Sequence, residues 1–203
     1  FMIDGAKGMI TAILRILTAG VLAGVLIESG AANKIAETIV DKIGESKALM
    51  ALALATMLLT MVGVFIDVAV ITVAPIAIAI AQRAGLSKSG ILLAMIGGGK
   101  AGNLMSPNPN AIVASENMGV ALTDIMMAGI IPAIFGIIIT CILAKMVDKK
   151  GSKVEKAKGN KNNKEKLPSF ITAISGPLVT IILLALRPIA GIVIDPLIAL
   201  PLG

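Results

Sequence analysis

The chain has no histidine, tryptophan or tyrosine, one cysteine and four phenylalanines among its 203 residues. Each shortage excludes something. Without histidine the chain lacks the commonest metal ligand and the usual proton shuttle of neutral pH. A lone cysteine, Cys141, cannot build an internal disulfide framework. With so few aromatic rings there is little to stack on bases, and the net charge of +6 does not form a nucleic-acid face. Nine of the eighteen basic residues are lysines of the stretch 145–166, which holds only Asp148, Glu155 and Glu165 against them, while the rest of the chain balances. The charge belongs to one loop.

Charged residues make up only 15% of the chain, and 57% are hydrophobic, with a mean hydropathy of +0.97. Soluble domains carry about 25% charged residues, and a soluble chain of this length has too little interior to hide the excess apolar surface. Lipid is the solvent that fits. No long alternating run appears, so a membrane barrel does not. The expected fold class is an all-α polytopic membrane protein.

The first apolar stretch, about Gly8 to Ile27, is long enough to cross a hydrocarbon core of about 30 Å. Its small residues Ala19, Gly20, Ala23 and Gly24 suit close helix packing in lipid. Residues 30–45 follow as an amphipathic surface helix, with Ile35, Ile39, Val40 and Ile43 on one face and Lys34, Glu37, Asp41 and Lys42 on the other. Residues 48–82 are too long for one span, since about 35 helical residues reach about 52 Å, and too short for two. They read as a re-entrant hairpin with its tip at Val64–Asp67. Residues 89–117 read as a broken helix, with SGILLAMI leading into GGGKAGNLMSPNPN and then NAIVASENM. A span over 122–145, kinked at Pro132, completes a bundle over 1–147. A mobile Lys-rich cytoplasmic linker follows at 148–166, and 167–203 begins a further transmembrane region expected to continue beyond this stretch. Threading the hairpin this way puts Lys34, Lys42, Lys47, Arg83, Lys88 and the linker on one side, and leaves the other side only Lys7, near Glu116 and Asp124. That asymmetry is the one the positive-inside rule asks for.

The two breaks are expected to meet near the membrane midplane, where half-helix ends offer unpaired backbone groups to a solute and an ion. Ser106 before Pro107 reads as an N-cap whose helix aims its partial positive charge at the centre, a place for an organic carboxylate. Asn103, Asn108 and Asn110 add neutral hydrogen-bonding groups for a carboxylate, a hydroxyl or a sodium ion, unless SPNP is only a stable turn. Asp67, an acid at membrane depth, is the sharpest ion-coupling candidate, its plain alternative being a structural cap. Burial raises the pKa of such an acid and suits a proton, whereas a helix N-terminus lowers it and suits sodium. Lys100 either offsets a solute's charge, pairs with Asp67, or pairs with loop carbonyls. Arg15 reads as a side chain that snorkels or pairs with another helix. No cofactor is called for beyond the coupling proton or sodium ion.

The run VLIESGAANKIAETIVDKIGE, then FID in the hairpin, AQRAGLS and the SPNPNA break follow in an order and spacing that resembles the gluconate permease family of proton symporters across about residues 10–145. The resemblance implies a dimeric bacterial inner-membrane symporter for a sugar acid such as gluconate, built from inverted repeats, with this chain as roughly the first half. The family usually carries Glu where Asp67 stands. At the break it has a His-Gly lead-in and PPHPGP where this chain has Ala101-Gly102 and Ser106 to Asn110. Those exchanges are compatible with sodium coupling or with another carboxylate. The rival readings are an ion exchanger using Asp67 and Lys100 without an organic solute, a membrane-embedded enzyme, which lacks a base partner for any Ser or Cys, and a non-transporting scaffold, which leaves the two breaks unexplained.

Overall fold

A computed structural model of the chain describes residues 10–155 and 167–202. Their regular structure is helical, in the order α1 (Ile10–Glu28), α2 (Ala31–Ile43), a short 3-10 turn (Glu45–Lys47), α3 (Ala48–Met61), α4 (Ile66–Ala84), α5 (Lys88–Asn103), α6 (Pro109–Met118), α7 (Leu122–Ala128), α8 (Ile130–Asp148), α9 (Phe170–Ala190) and α10 (Pro196–Leu202). Apolar side chains lie on both the inner and the outer faces. Helix α1 buries Ala19, Leu22, Ala23 and Leu26 while exposing Leu14, Leu17, Val21 and Val25, and α8 exposes Ile131, Ile134, Phe135 and Ile138. A helix that is apolar all round needs lipid outside it. Helices α1, α4 and α8 are each long and apolar enough to cross a membrane, and the total reaches five if each bent helix pair counts as one span. The chain is a multi-pass membrane protein.

The centre is α3, packed between α5, α2 and α4, with α5 also lying along α8. Glycine sets these distances. A methyl group added at Gly98 would run into the Ala53 carbonyl of α3, and one at Gly102 into the Met57 carbonyl a turn further along. Backbone therefore meets backbone, as small residues permit between helices in lipid. Thr60 closes the contact by donating its hydroxyl to the Gly99 carbonyl at 2.9 Å. This corrects the expectation that GGGKAGN belongs to the break. The helix runs unbroken through Gly97–Gly99 and Lys100 to Asn103, because the glycines are used for packing and their i→i−4 ladder stays intact.

Residues 48–84 fold into two helices joined by a turn at Val62–Phe65, and the two differ in length. Helix α3 has 14 residues, while α4 has 19 and passes as a span by length and composition. The α2 helix turns about 100° from the segment leading into α3. Its apolar face, with Ala32, Ile35, Ala36 and Val40 buried, packs on protein rather than lying on lipid. The expected 122–145 span is split at Gly129, and α6 and α7 meet at 118°. Pro132 falls in the first turn of α8, where its missing N–H breaks no helical bond, so no kink is needed.

One end of the bundle gathers the basic groups. Arg83 at the end of α4 pairs with Glu45 at 2.8 Å, and Lys42 sits 5.5 Å above the Phe170 ring. Asp148 at the end of α8 accepts the Ser87 N–H at 2.6 Å, and Ser87 in turn caps α5. The start of the Lys-rich linker, expected to be mobile, folds back onto this end. Lys88 N–H donates to the Ser152 carbonyl and Val154 N–H to the Leu86 carbonyl. The remaining linker residues 156–166, and Lys7, lie outside the described residues.

If the α3–α5 contact sets the architecture, Gly98→Val should destabilise the purified protein by about 3 kcal/mol, the upper end of overpacking. Gly24→Ala, inside α1 with nothing within 4 Å of the added methyl, should instead stabilise by about 0.5–1 kcal/mol in thermal unfolding.

Candidate solute site at two helix breaks

The first break is the hairpin tip. After Met61 the chain turns through Val62 to Phe65, with Gly63 at φ 106°, a conformation that favours glycine. Val64 N–H donates to the Leu59 carbonyl at 3.1 Å, and Val62 and Val64 are buried. Phe65, in extended conformation, is the N-cap of α4, which corrects the reading of Asp67 as a cap. Asp67 lies in the first helical turn instead, exposed, with no ion pair among the described residues. It still stands at the positive end of the α4 dipole.

The second break follows Asn103. Three tight turns lead out of α5, with Leu104, Met105 and Ser106 N–H donating to the Ala101, Gly102 and Asn103 carbonyls. The cap of α6 is Asn108, two residues later than expected. Its Oδ1 accepts the Asn110 N–H at 2.9 Å and the Ala111 N–H at 3.2 Å, with Pro109 as the first helical residue. Asn at the cap with Pro directly after satisfies the same rules as Ser106-Pro107 does, so spacing alone did not separate the two. Ser106 is fully buried. Its hydroxyl donates to the Asn103 carbonyl at 3.3 Å and accepts from Asn108 Nδ2 at 3.1 Å. Asn108 Nδ2 also donates to the Asn103 carbonyl.

Of the sequence-derived candidates, Asn103, Ser106 and Asn108 form one hydrogen-bonded cluster. Asn110 joins it through its backbone N–H while its side chain is exposed. Lys100 is exposed one turn before Asn103, in no ion pair among the described residues, so it is not joined to Asp67. One atom of the cluster stands apart. Asn103 Oδ1 is buried without a hydrogen-bond partner among the described residues, and a lone buried acceptor costs about 1–3 kcal/mol unless something donates to it or binds it. The two breaks do meet: a methyl added to Gly63 would touch the Pro107 ring at 3.8 Å, and one at Gly99 would press on Ile66.

Two cavities flank this junction. The first, of about 210 Å³, lies between the tip, the break and α9, and Met61, Val62, Met105, Pro107 and Leu184 make its wall apolar. It is not where the polar cluster points. The second, of about 270 Å³, is lined by Arg15, Ser115, Glu116, Val120 and Asp195. There Arg15 Nη1 pairs with Glu116, while Nη2 and Nε reach the two Asp195 oxygens at 2.8 and 3.4 Å. Sequence reading had Arg15 snorkelling or pairing, and it pairs with two segments at once. Burial pushes the Asp195 carboxyl up. The Arg15 hydrogen bond and charge, together with the Leu197 N–H, outweigh that and hold its pKa below the ordinary carboxylate value.

A helical membrane bundle with two helix breaks in contact and a polar knot at one of them has the build of a membrane carrier. The sequence matches the GntP family permease model over residues 1–199, and the chain belongs to that family. It is 65% identical over 202 residues, all of this chain and 48% of the relative, to an uncharacterized transporter of Haemophilus influenzae. It is also 25% identical over 201 residues, 94% of this chain and 45% of the relative, to a gluconate permease of Bacillus licheniformis. The chain thus spans about half the length of these relatives. No solved structure matches it. The family and the names of the relatives set it among transporters and not enzymes.

The cap assignment is testable. Asn108→Ala should cost about 1 kcal/mol in thermal unfolding, the usual loss for a missing N-cap. Asn108→Ser, which keeps a side-chain acceptor for the Asn110 and Ala111 N–H groups, should recover part of it, whereas Asn108→Asp, which sets an acceptor where Nδ2 donates to the Asn103 carbonyl, should not.

Proposed function

We propose that the chain is the first-repeat part of a cation-coupled symporter that carries a small organic acid, such as gluconate, across a bacterial inner membrane. The observation that carries the reading is the buried Asn103 Oδ1, without a hydrogen-bond partner among the described residues, in the helix break whose Pro107 faces the hairpin tip. An acceptor left unpaired there suits an occupant that brings a donor or a cation, such as a sugar-acid hydroxyl or sodium.

In this reading Ser106, Asn108 and Asn103 bond the solute's hydroxyls, Asn110 contacts it from the first turn of α6, and Lys100 offsets its charge. Asp67 is the coupling acid. The N-terminal N–H groups of α6 favour a carboxylate, and the Asn108 side chain now occupies them. The solute carboxylate takes over those N–H groups as Asn108 turns aside, so the cap doubles as the solute's competitor. The hairpin enters and returns on one side. The basic end is cytoplasmic, as the positive-inside rule requires, and the protein works as a homodimer. A second reading, a sodium/proton-type exchanger with no organic solute, draws on the exposed, unpaired state of Asp67 and Lys100.

Uptake of radiolabelled sugar acids into vesicles by the full-length protein separates the two. Symport predicts accumulation against a gradient, reduced to equilibration by Asp67→Asn. Undiminished accumulation by that variant removes Asp67 from coupling. Cation exchange without any acid-dependent flux selects the exchanger.

A further inference from the structure

Arg15 lies thirteen residues before the end of α1, about 20 Å along the helix from the end where Gly30 meets Leu167. It ties together α1, the C-terminal turn of α6 through Glu116, and the segment between α9 and α10 through Asp195. The two halves of this triad are unequal. The Arg15 and Glu116 side chains are 16% and 28% exposed, while Asp195 is 42% exposed. Asp195 also ends a non-helical stretch, 191–195, that begins at Gly191 with φ 70°. Separating Asp195 from Arg15 leaves the guanidinium paired with Glu116, so no charge is stranded in the bundle. The exposed half is the one that can open at little cost. The cavity beneath the triad and the cavity at the helix break share Thr123 in their walls.

We propose that the Arg15–Asp195 contact is the latch of a gate at the end of the bundle opposite the basic groups, with Arg15–Glu116 as its fixed post and residues 191–195 as the moving jaw. This rests on the transporter reading. With the latch closed, the 191–195 segment covers the triad cavity. With it open, water passes Thr123 into the cavity beside Pro107. Asp195 Oδ1 also accepts the Leu197 N–H at 2.8 Å, capping α10. Asp195→Asn keeps that acceptor and removes only the charge that holds the latch.

The test uses the full-length protein in proteoliposomes, with Cys141→Ser and Thr123→Cys, and follows labelling of the introduced cysteine by a membrane-impermeant cationic thiosulfonate added from each side. Asp195→Asn should speed labelling from one side only, by about fivefold, the population change expected for loss of one partly exposed pair. Asp195→Glu should stay near the parent rate. A rate in Asp195→Asn equal to the parent's, an equal gain from both sides, or a gain as large in Asp195→Glu overturns the latch. Labelling needs no solute flux. A protein that carries no organic acid yet shows the one-sided gain would keep the gate and refute the symport reading.

Discussion

The backbone-to-backbone contact of α5 with α3 is the constraint on which the rest of the bundle depends. Gly98 and Gly102 let the two helices close to a distance no side chain would allow, and the Thr60 hydroxyl on the Gly99 carbonyl sets their register. Helix α3 ends two residues after its final buried leucine, Leu59, and α5 ends at Asn103. Fixing one helix against the other therefore fixes where both stop. The tip of the hairpin meets the break because the glycine seam delivers both to the same depth.

The opposite end has its own fastening. Asp148 binds the Ser87 N–H, the Ser87 hydroxyl caps α5 through Gly90, and residues 151–155 lie along the α4–α5 turn, where Gln82 also donates to the Glu155 carbonyl. These are backbone and capping bonds, so they hold whatever the salt concentration does to the surrounding lysines. The loop that carries the charge thus begins as a clasp across α8, α5 and α4.

Much of this was legible because lipid simplifies the code. Length against bilayer thickness led to a re-entrant hairpin over 48–82 with its tip at Val64–Asp67; the structure does turn within that stretch, at Val62–Phe65, but its second helix is long enough to cross a membrane. The break at SPNPN was legible from proline chemistry, whereas the sequence left Arg15 open between snorkelling and pairing, and the structure pairs it. What stayed hidden has a common cause. Glycine reads the same in a sequence whether it breaks a helix or lets a neighbour approach. Gly97–Gly99 look like a loop until α3 is seen lying on them, and that partner is some forty residues away. The two-residue error at the α6 cap is of the same kind. Ser106-Pro107 and Asn108-Pro109 are both competent, and the choice falls to the buried bonds Ser106 makes with Asn103 and Asn108. The amphipathic face of α2 likewise marks an apolar contact without saying whether lipid or protein provides it.

A carrier must hold its solute weakly and differently in two states, and under the proposed function this junction would do that. The polar cluster satisfies most of its atoms internally, and the Asn103 acceptor, without a partner among the described residues, is a modest bias rather than a deep well. Because Asn108 occupies the N–H groups of α6 that a carboxylate would seek, binding exchanges one set of hydrogen bonds for another and leaves little net energy to trap the solute. The apolar cavity beside the break, walled by Met61, Met105 and Leu184, adds no polar hold of its own. Under the same proposal selectivity comes from geometry at one knot of asparagines and a serine, while motion falls to the partly exposed ionic contact at Arg15 and to Gly191. Separating the rigid seam, the exchangeable cap and the openable ion pair lets each do its part without the others having to yield.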